Sequence, residues 1–149
     1  MSALKSEPGP AGMIERTASC SCKSLSIRAT GEPNKISACH CAACQKRTGS
    51  AFGVAAFYDA ERTSVAGVAQ TFVRRGDSGL NVEFHFCPTC GSTLFWYPAV
   101  RPGRVGIAIG CFDDKSLRPT QAVYEHDRLT WVSISLPESQ RDAAHHWPE

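Results

Sequence analysis

The chain has no apolar run approaching the roughly 20 residues that a membrane-spanning helix requires, and no long amphipathic helical period. The first absence argues against a helical membrane protein, the second against a helical bundle. Charge of one sign is missing as well. The 16 Lys and Arg against 14 Asp and Glu leave a formal net charge of +2, too little for an electrostatic footprint on nucleic acid. Apart from the cysteine clusters there is no internal repeat, and no linker divides the 149 residues, so one domain with an ordinary hydrophobic core is expected. The first 17 residues contain Pro8, Gly9, Pro10 and Gly12 but no apolar stretch. They are expected to be a flexible leader rather than a signal peptide. Residues 18–137 form the expected domain and residues 138–149 a polar tail.

Cysteine, by contrast, is plentiful. Eight cysteines without an export signal point to a reducing, cytoplasmic setting and away from a disulfide framework. Seven fall in three clusters: Cys20-Ser21-Cys22, Cys39-His40-Cys41-Ala42-Ala43-Cys44 and Cys87-Pro88-Thr89-Cys90-Gly91. Pairs one residue apart are too close for a relaxed disulfide, whereas metal thiolates suit such spacings. Because ligands must deprotonate to bind, a chain with four thiolates on one zinc and three on another would carry a net charge of about −1.

Around these clusters the chain alternates with period two. Leu25, Ile27 and Ala29 alternate with Ser24, Ser26 and Arg28, and a turn at Gly31-Glu32-Pro33-Asn34 follows. An extended stretch from Ile36 to Cys41 leads into a short helical turn over Ala42 to Thr48, ended by Gly49. Further strands are expected over Ala51 to Tyr58, Ser92 to Tyr97 and Val105 to Ile109, and over the segments ending at Tyr124 and Ile134. Gln70 to Arg75 and Leu80 to Phe86 read as a hairpin about Gly76-Asp77-Ser78-Gly79. The fold class is mainly β with little helix, and antiparallel, since no helical crossover is available.

Cys87-x-x-Cys90-Gly91 reads as a zinc knuckle, the glycine relieving the tight backbone; a redox dithiol would sit before a helix, not a strand. On an extended chain Cys20 and Cys22 share one face, as do Cys39 and Cys41, which sends His40 to the opposite face. Seven cysteines divide as four plus three. A four-thiolate site is closed and structural, whereas a three-ligand site keeps a position for water or substrate. Cys39, Cys41 and Cys44 form the compact trio, leaving Cys20, Cys22, Cys87 and Cys90 for the closed site. Two alternatives stay open at this point: Cys44 merely packs, or His40 or Cys111 closes the second site. Cys111, alone after an apolar strand, reads as an inert core thiol.

The order Cys-x-Cys, Cys-His-Cys-x-x-Cys, Cys-Pro-x-Cys-Gly resembles that of the glutathione-dependent formaldehyde-activating family, which includes the centromere protein V type domains. Gln45-Lys46-Arg47-Thr48-Gly49-Ser50-Ala51-Phe52, Phe86, Gly110-Cys111-Phe112-Asp113-Asp114, Leu117-Arg118-Pro119-Thr120 and Trp131 reinforce the likeness, which spans roughly Ser19 to Pro137. The resemblance implies a β-tent-like fold of antiparallel sheets with two zinc ions. One would be structural on Cys20, Cys22, Cys87 and Cys90, the other catalytic on Cys39, Cys41 and Cys44. It further implies a carbon–sulfur lyase that joins glutathione and formaldehyde as S-(hydroxymethyl)glutathione.

Because glutathione carries two carboxylates, Lys46 and Arg47 are the expected substrate-binding residues, with Arg74-Arg75 nearby on the hairpin. Thr48 and Ser50 are candidates either to donate to a substrate or to cap the turn. The partners expected are thus a small thiol and an aldehyde, with no nucleic acid and no membrane. An exposed edge strand would make a homodimer accessible. A non-catalytic, zinc-stabilised binding module is the competing reading. The long basic extensions that would favour it are absent from this sequence, and the intact trio favours the enzyme.

Overall fold

Short alternating segments give ten strands and a single α-helix in the computed structural model, which describes residues 13–141. β1 (Glu15–Ser19), β2 (Ser26–Thr30) and β5 (Thr63–Ala66) form a three-stranded antiparallel sheet in the order β1-β2-β5. The larger sheet has seven strands in the order β10-β3-β4-β9-β8-β7-β6. These are β3 (Lys35–Cys39), β4 (Gly53–Asp59), β6 (Gln70–Arg75), β7 (Asn81–Phe86), β8 (Thr93–Pro98), β9 (Arg104–Ala108) and β10 (Gln121–Val123). Helix α1 (Ala42–Thr48) links β3 to β4 and ends, as the sequence indicates, at a left-handed Gly49.

Leu25, Ile27 and Ala29 from the small sheet's side meet Ile36, Ala56, Tyr58, Phe95, Val105, Ile107 and Phe112 in the main core. The outer face of the large sheet carries a second, smaller cluster of Ala55, Phe57, Phe84 and Trp96. β4 serves both clusters, with Ala56 and Tyr58 on one side and Ala55 and Phe57 on the other. A strand buried on both faces reads as a continuous apolar run, as Ala51 to Tyr58 does.

Three expectations need correction. First, Glu15, Arg16 and Thr17, assigned to the leader, already belong to β1. The inward-facing residues there are Arg16 and Ala18, and a buried arginine masks the alternation. The rest of the leader up to residue 12, and residues 142–149 of the tail, lie outside the described residues. Second, Leu129 to Ile134 is not a strand. The guanidinium of Arg128 takes the Val132 carbonyl and that of Arg141 takes those of Ile134 and Leu136, so side chains replace a ladder neighbour. Third, the large sheet is not wholly antiparallel: β10 runs parallel to β3, pairing Ala122 with Ala38. Residues 109–120 carry the chain back between the sheets without an α-helix, and Phe112 bridges to Ala18 on the way. A crossover needs length, and a helix is only the commonest way to supply it.

That crossover is fastened by Arg16. Its guanidinium donates from Nε to Asp114 at 2.9 Å, to the Gly31 carbonyl at 3.2 Å and to Glu32 at 3.2 Å, while 6% of the residue is exposed. Hydrogen bonds from Ser116 and from Arg16 hold the Asp114 carboxyl down at about 2. A depressed carboxylate stabilises the fold above its ordinary value and loses that contribution as pH falls through its folded value. Asp114→Asn should therefore lower the unfolding free energy by about 1–2 kcal/mol near pH 6. In thermal melts the deficit against the native chain should close between pH 4 and pH 2; a deficit unchanged at pH 2 would contradict this assignment.

Candidate metal centres and the adjoining cavity

The trio grows out of the end of β3. Cys39 is its last residue, and Cys41 caps α1 by accepting the Cys44 amide on its sulfur at 3.4 Å. The cap satisfies one of the amides that a helix leaves free at its N-terminus, and it brings Cys44 back to the same side. The sulfurs of Cys39, Cys41 and Cys44 all lie within 4.8 Å of one another, and no fourth Cys, His, Asp or Glu among the described residues joins them. Mutual hydrogen bonding splits their acidities. Contacts from Cys39 and then Cys44 pull Cys41 far down, while those from Cys41 and Cys44 push Cys39 up. Left to itself the cluster favours one thiolate; full deprotonation of all three calls for a cation.

His40 takes no part in this group. Its ring is fully buried against Phe52, with centroids 5.6 Å apart, and neither ring nitrogen has a partner among the described residues. Burial favours the neutral ring, against the pull of Glu125. The backbone of His40 is held instead: its amide donates to Val123 at 3.2 Å and its carbonyl accepts from Gln45 Nε2 at 2.8 Å.

The second cluster joins two loops of similar build. Cys20 N donates to Leu25 O at 2.9 Å and Cys87 N to Ser92 O at 2.9 Å, so each loop closes as a tight knuckle. Gly91 sits at φ +79°, which a side chain would strain, and this is the backbone relief that the sequence predicts. The sulfurs of Cys20, Cys22, Cys87 and Cys90 lie within 4.8 Å of one another; Cys20–Cys22 and Cys22–Cys87 are each 3.6 Å apart. Zinc–sulfur bonds of about 2.3 Å in a tetrahedron put sulfurs about 3.8 Å apart, so this donor set fits such an ion. Ser24 and Ser92, which the sequence reading passed over, support it. Ser24 Oγ is 3.0 Å from Cys22 Sγ and 3.2 Å from Cys87 Sγ, and Ser92 Oγ is 3.3 Å from Cys90 Sγ. Hydrogen bonds from Ser24 lower Cys87 to about 7, and those from Ser92 lower Cys90 to about 5.

An open cavity of about 450 Å³ lies between α1 and the Cys87–Cys90 knuckle. Arg47, Phe52, Gly53, Ser92, Ile109 and Gly110 are among the residues that line it. Lys46 is exposed and does not line it. Thr48 lines the cavity, but its hydroxyl is committed: it donates to Cys44 O at 2.8 Å and accepts from Ser50 N at 3.1 Å, as a turn cap. Arg74 stacks on Phe84 at 5.3 Å and is absent from the lining, as is Arg75. Cys111 belongs to neither cluster; it ends the 3-10 turn Ile109–Cys111, half-buried, and burial pushes its thiol up.

Fold and site together define a mainly β protein with two cysteine clusters able to hold metal ions. Residues 15–127 match the model of the glutathione-dependent formaldehyde-activating enzyme family, and the chain belongs to that family. It is 33% identical over 84 residues to an uncharacterized lyase of Schizosaccharomyces pombe, a match covering 56% of this chain and 58% of that protein. The chain thus spans little more than half the length of that curated relative. A crystal structure of a Rhodobacter sphaeroides protein is similar in fold, with a TM-score of 0.51 at 18% identity, over 69% of this chain and 91% of that one.

Elemental analysis of the purified protein is expected to find two metal ions per chain. Cys41→Ser should remove one and leave the far-ultraviolet spectrum intact, whereas Cys90→Ser should remove the other and lower the melting temperature by several degrees. One ion per chain, unaffected by Cys41→Ser, would rule out metal at the trio.

Proposed function

We propose that the chain is a zinc-dependent carbon–sulfur lyase that makes and breaks thiol–aldehyde adducts, with glutathione and formaldehyde as the first substrates to test. The observation that carries this reading is the three-sulfur group of Cys39, Cys41 and Cys44, which no fourth Cys, His, Asp or Glu among the described residues completes; Arg47 and Thr48, from the same helix as Cys44, line the open cavity. Membership of a family named for this activity, and a relative named as a lyase, support it. The four-sulfur cluster takes the structural role, and zinc suits both sets because it accepts thiolates in a tetrahedron without redox chemistry.

When bound by Cys39, Cys41 and Cys44, zinc would supply a lowered pKa for a substrate thiol that reaches it. The remaining work falls to the chain. The Cys44 amide, donating to Cys41, favours the thiolate form of that ligand. His40, buried against Phe52 and outside the sulfur group, anchors the ligand segment between Cys39 and Cys41. The cavity holds a thiol and an aldehyde side by side, which offsets the entropy of bringing two reactants together. In the forward direction the deprotonated sulfur adds to the aldehyde carbon. A carbon–sulfur bond forms, the carbonyl π pair moves to oxygen, and that oxygen takes a proton from solvent, to which the cavity is open. The reverse sequence is the lyase reaction.

Exchange spectroscopy on mixed glutathione and formaldehyde is expected to show adduct formation accelerated in proportion to protein concentration, and lost in Cys41→Ser. No acceleration at high protein concentration would leave the zinc-stabilised binding module as the better reading.

A further inference from the structure

The arginine that follows the trio is set in an unusual way. Arg47 lies in the last turn of α1, and its guanidinium stacks over the Trp96 ring with Cζ 4.2 Å from the centroid. Trp96 itself is 7% exposed on the outer face of the large sheet. No carboxylate among the described residues forms an ion pair with Arg47, although it is half-buried and lines the cavity. Five other buried or partly buried arginines do have one: Arg16 with Asp114, Arg62 and Arg104 with Asp59, Arg128 and Arg141 with Glu125; Arg74, which stacks on Phe84, lies outside the cavity.

Two glycines leave the space that this stack occupies. A Cβ at Gly53 would come within 2.5 Å of Arg47 Nη2, and one at Gly106 within 2.6 Å of Trp96 Nε1. The Gly53 position also lies 3.5 Å from Cys44 Cβ, so the guanidinium and the third cysteine of the trio border the same point. Other side chains on the cavity wall are neutral, including Phe52, Val54, Thr93 and Ile109. A guanidinium resting over an aromatic ring and lining an open cavity, with no ion-pair partner among the described residues, can grip a carboxylate in a two-pronged fashion.

We propose that Arg47, positioned by Trp96 and given room by Gly53 and Gly106, is the subsite that binds a carboxylate of the thiol substrate and so selects acidic thiols over neutral ones. The proposal rests on the thiol–aldehyde reading only in taking the sulfur end of the substrate to lie at the trio. It assigns the binding charge to Arg47 alone, where the sequence offers Lys46 equally.

Binding of S-methylglutathione, which has both carboxylates but no free thiol, reads the subsite apart from the chemistry. Titration calorimetry on the metal-loaded full chain is expected to give an affinity about tenfold weaker in Arg47→Gln. Lys46→Gln should stay within about twofold, as expected of a solvated surface charge. Trp96→Leu should also weaken binding, and Trp96→Phe should restore it in part, because an aromatic face remains. As Trp96 also packs in the outer cluster, Gly53→Ala provides the independent variant: the added methyl meets the guanidinium end of Arg47 and displaces it, and affinity should fall as in Arg47→Gln. The diethyl ester of the same compound should be insensitive to Arg47→Gln.

An unchanged affinity in Arg47→Gln, or an equal loss in Lys46→Gln, would overturn the proposal. The two readings fail separately. Adduct formation that survives Arg47→Gln at full specific activity and unchanged KM sinks the subsite and spares the lyase. Arg47-dependent binding without any adduct formation sinks the lyase and spares the subsite.

Discussion

Four cysteine sulfurs from two turns, one in each sheet and about 65 positions apart, are held within 4.8 Å of one another, and among the described residues this is the contact between the sheets that fixes a specific pair of turns together. Cys20 and Cys22 close the turn between β1 and β2, and Cys87 and Cys90 close the one between β7 and β8. Cys22 and Cys87 are 65 positions apart, so a cation shared among these thiolates would close a loop of that length. By the loop-closure argument used for disulfides, such a link removes about 4 kcal/mol of unfolded-chain entropy. The hydrophobic core between the sheets also favours their association, but apolar contact is non-directional. The sulfur cluster fixes which turn of one sheet meets which turn of the other, and Arg16 with Asp114 performs a similar task at the crossover.

With that frame fixed, the large sheet's two faces divide their labour. The inner face, through Tyr58, Phe95, Val105 and Ile107, packs against the small sheet. The outer face is only partly covered, and its cluster of Phe57, Phe84 and Trp96 is where Arg47 comes to rest from the end of α1. A seven-residue helix is too short to be stable alone. It is held by the Cys41 cap at its start, by Gly49 and Thr48 at its end, and by the Arg47 stack in between. The same contacts that keep the helix formed therefore keep the trio and the cavity in fixed relation.

Much of this was legible in the sequence because cysteine spacing and strand period are both local signals. The knuckle at Cys87–Gly91, the turn at Gly49 and the hairpin at Gly76–Gly79 follow from residue type at fixed offsets, and the structure has all of them, whereas Cys20 and Cys22, expected on an extended chain, sit on a turn closed by the Lys23 and Cys20 amides. What escaped was non-local. β1 was hidden because a charged residue, Arg16, faces inward, and only Asp114 and Glu32, distant in sequence, make that tolerable. The parallel β10 depends on a crossover whose course is set by Phe112 meeting Ala18. Lys46 and Arg47 are indistinguishable as neighbours in sequence; only the placement of Trp96 and the gap at Gly53 separate them. The strand expected at Leu129 to Ile134 failed because the carbonyls of Val132 and Ile134 are taken by guanidinium groups, which alternation cannot reveal.

The contrast between the two cysteine clusters is itself an argument about role. The four-sulfur cluster joins turns about 65 positions apart in two sheets and has an architectural reason to exist. The trio spans six residues of one continuous segment, so an ion there would close almost no loop and would add little to the fold by that route. Its local structure is already secured without one: Cys41 caps α1, Gln45 and Val123 hold the backbone of His40, and His40 fills the core behind. Three thiols packed this closely resist joint deprotonation, Cys41 being pulled down while Cys39 and Cys44 are pushed up, which is an electrostatic cost without architectural return. The placement of Arg47 sharpens the point, since a cation that borders Cys44 and faces an open cavity favours negative charge in the place where a substrate thiol and its carboxylate would both bring it. A structural role would account for the first cluster but not for the second, for which the chemistry proposed above supplies the reason that architecture does not.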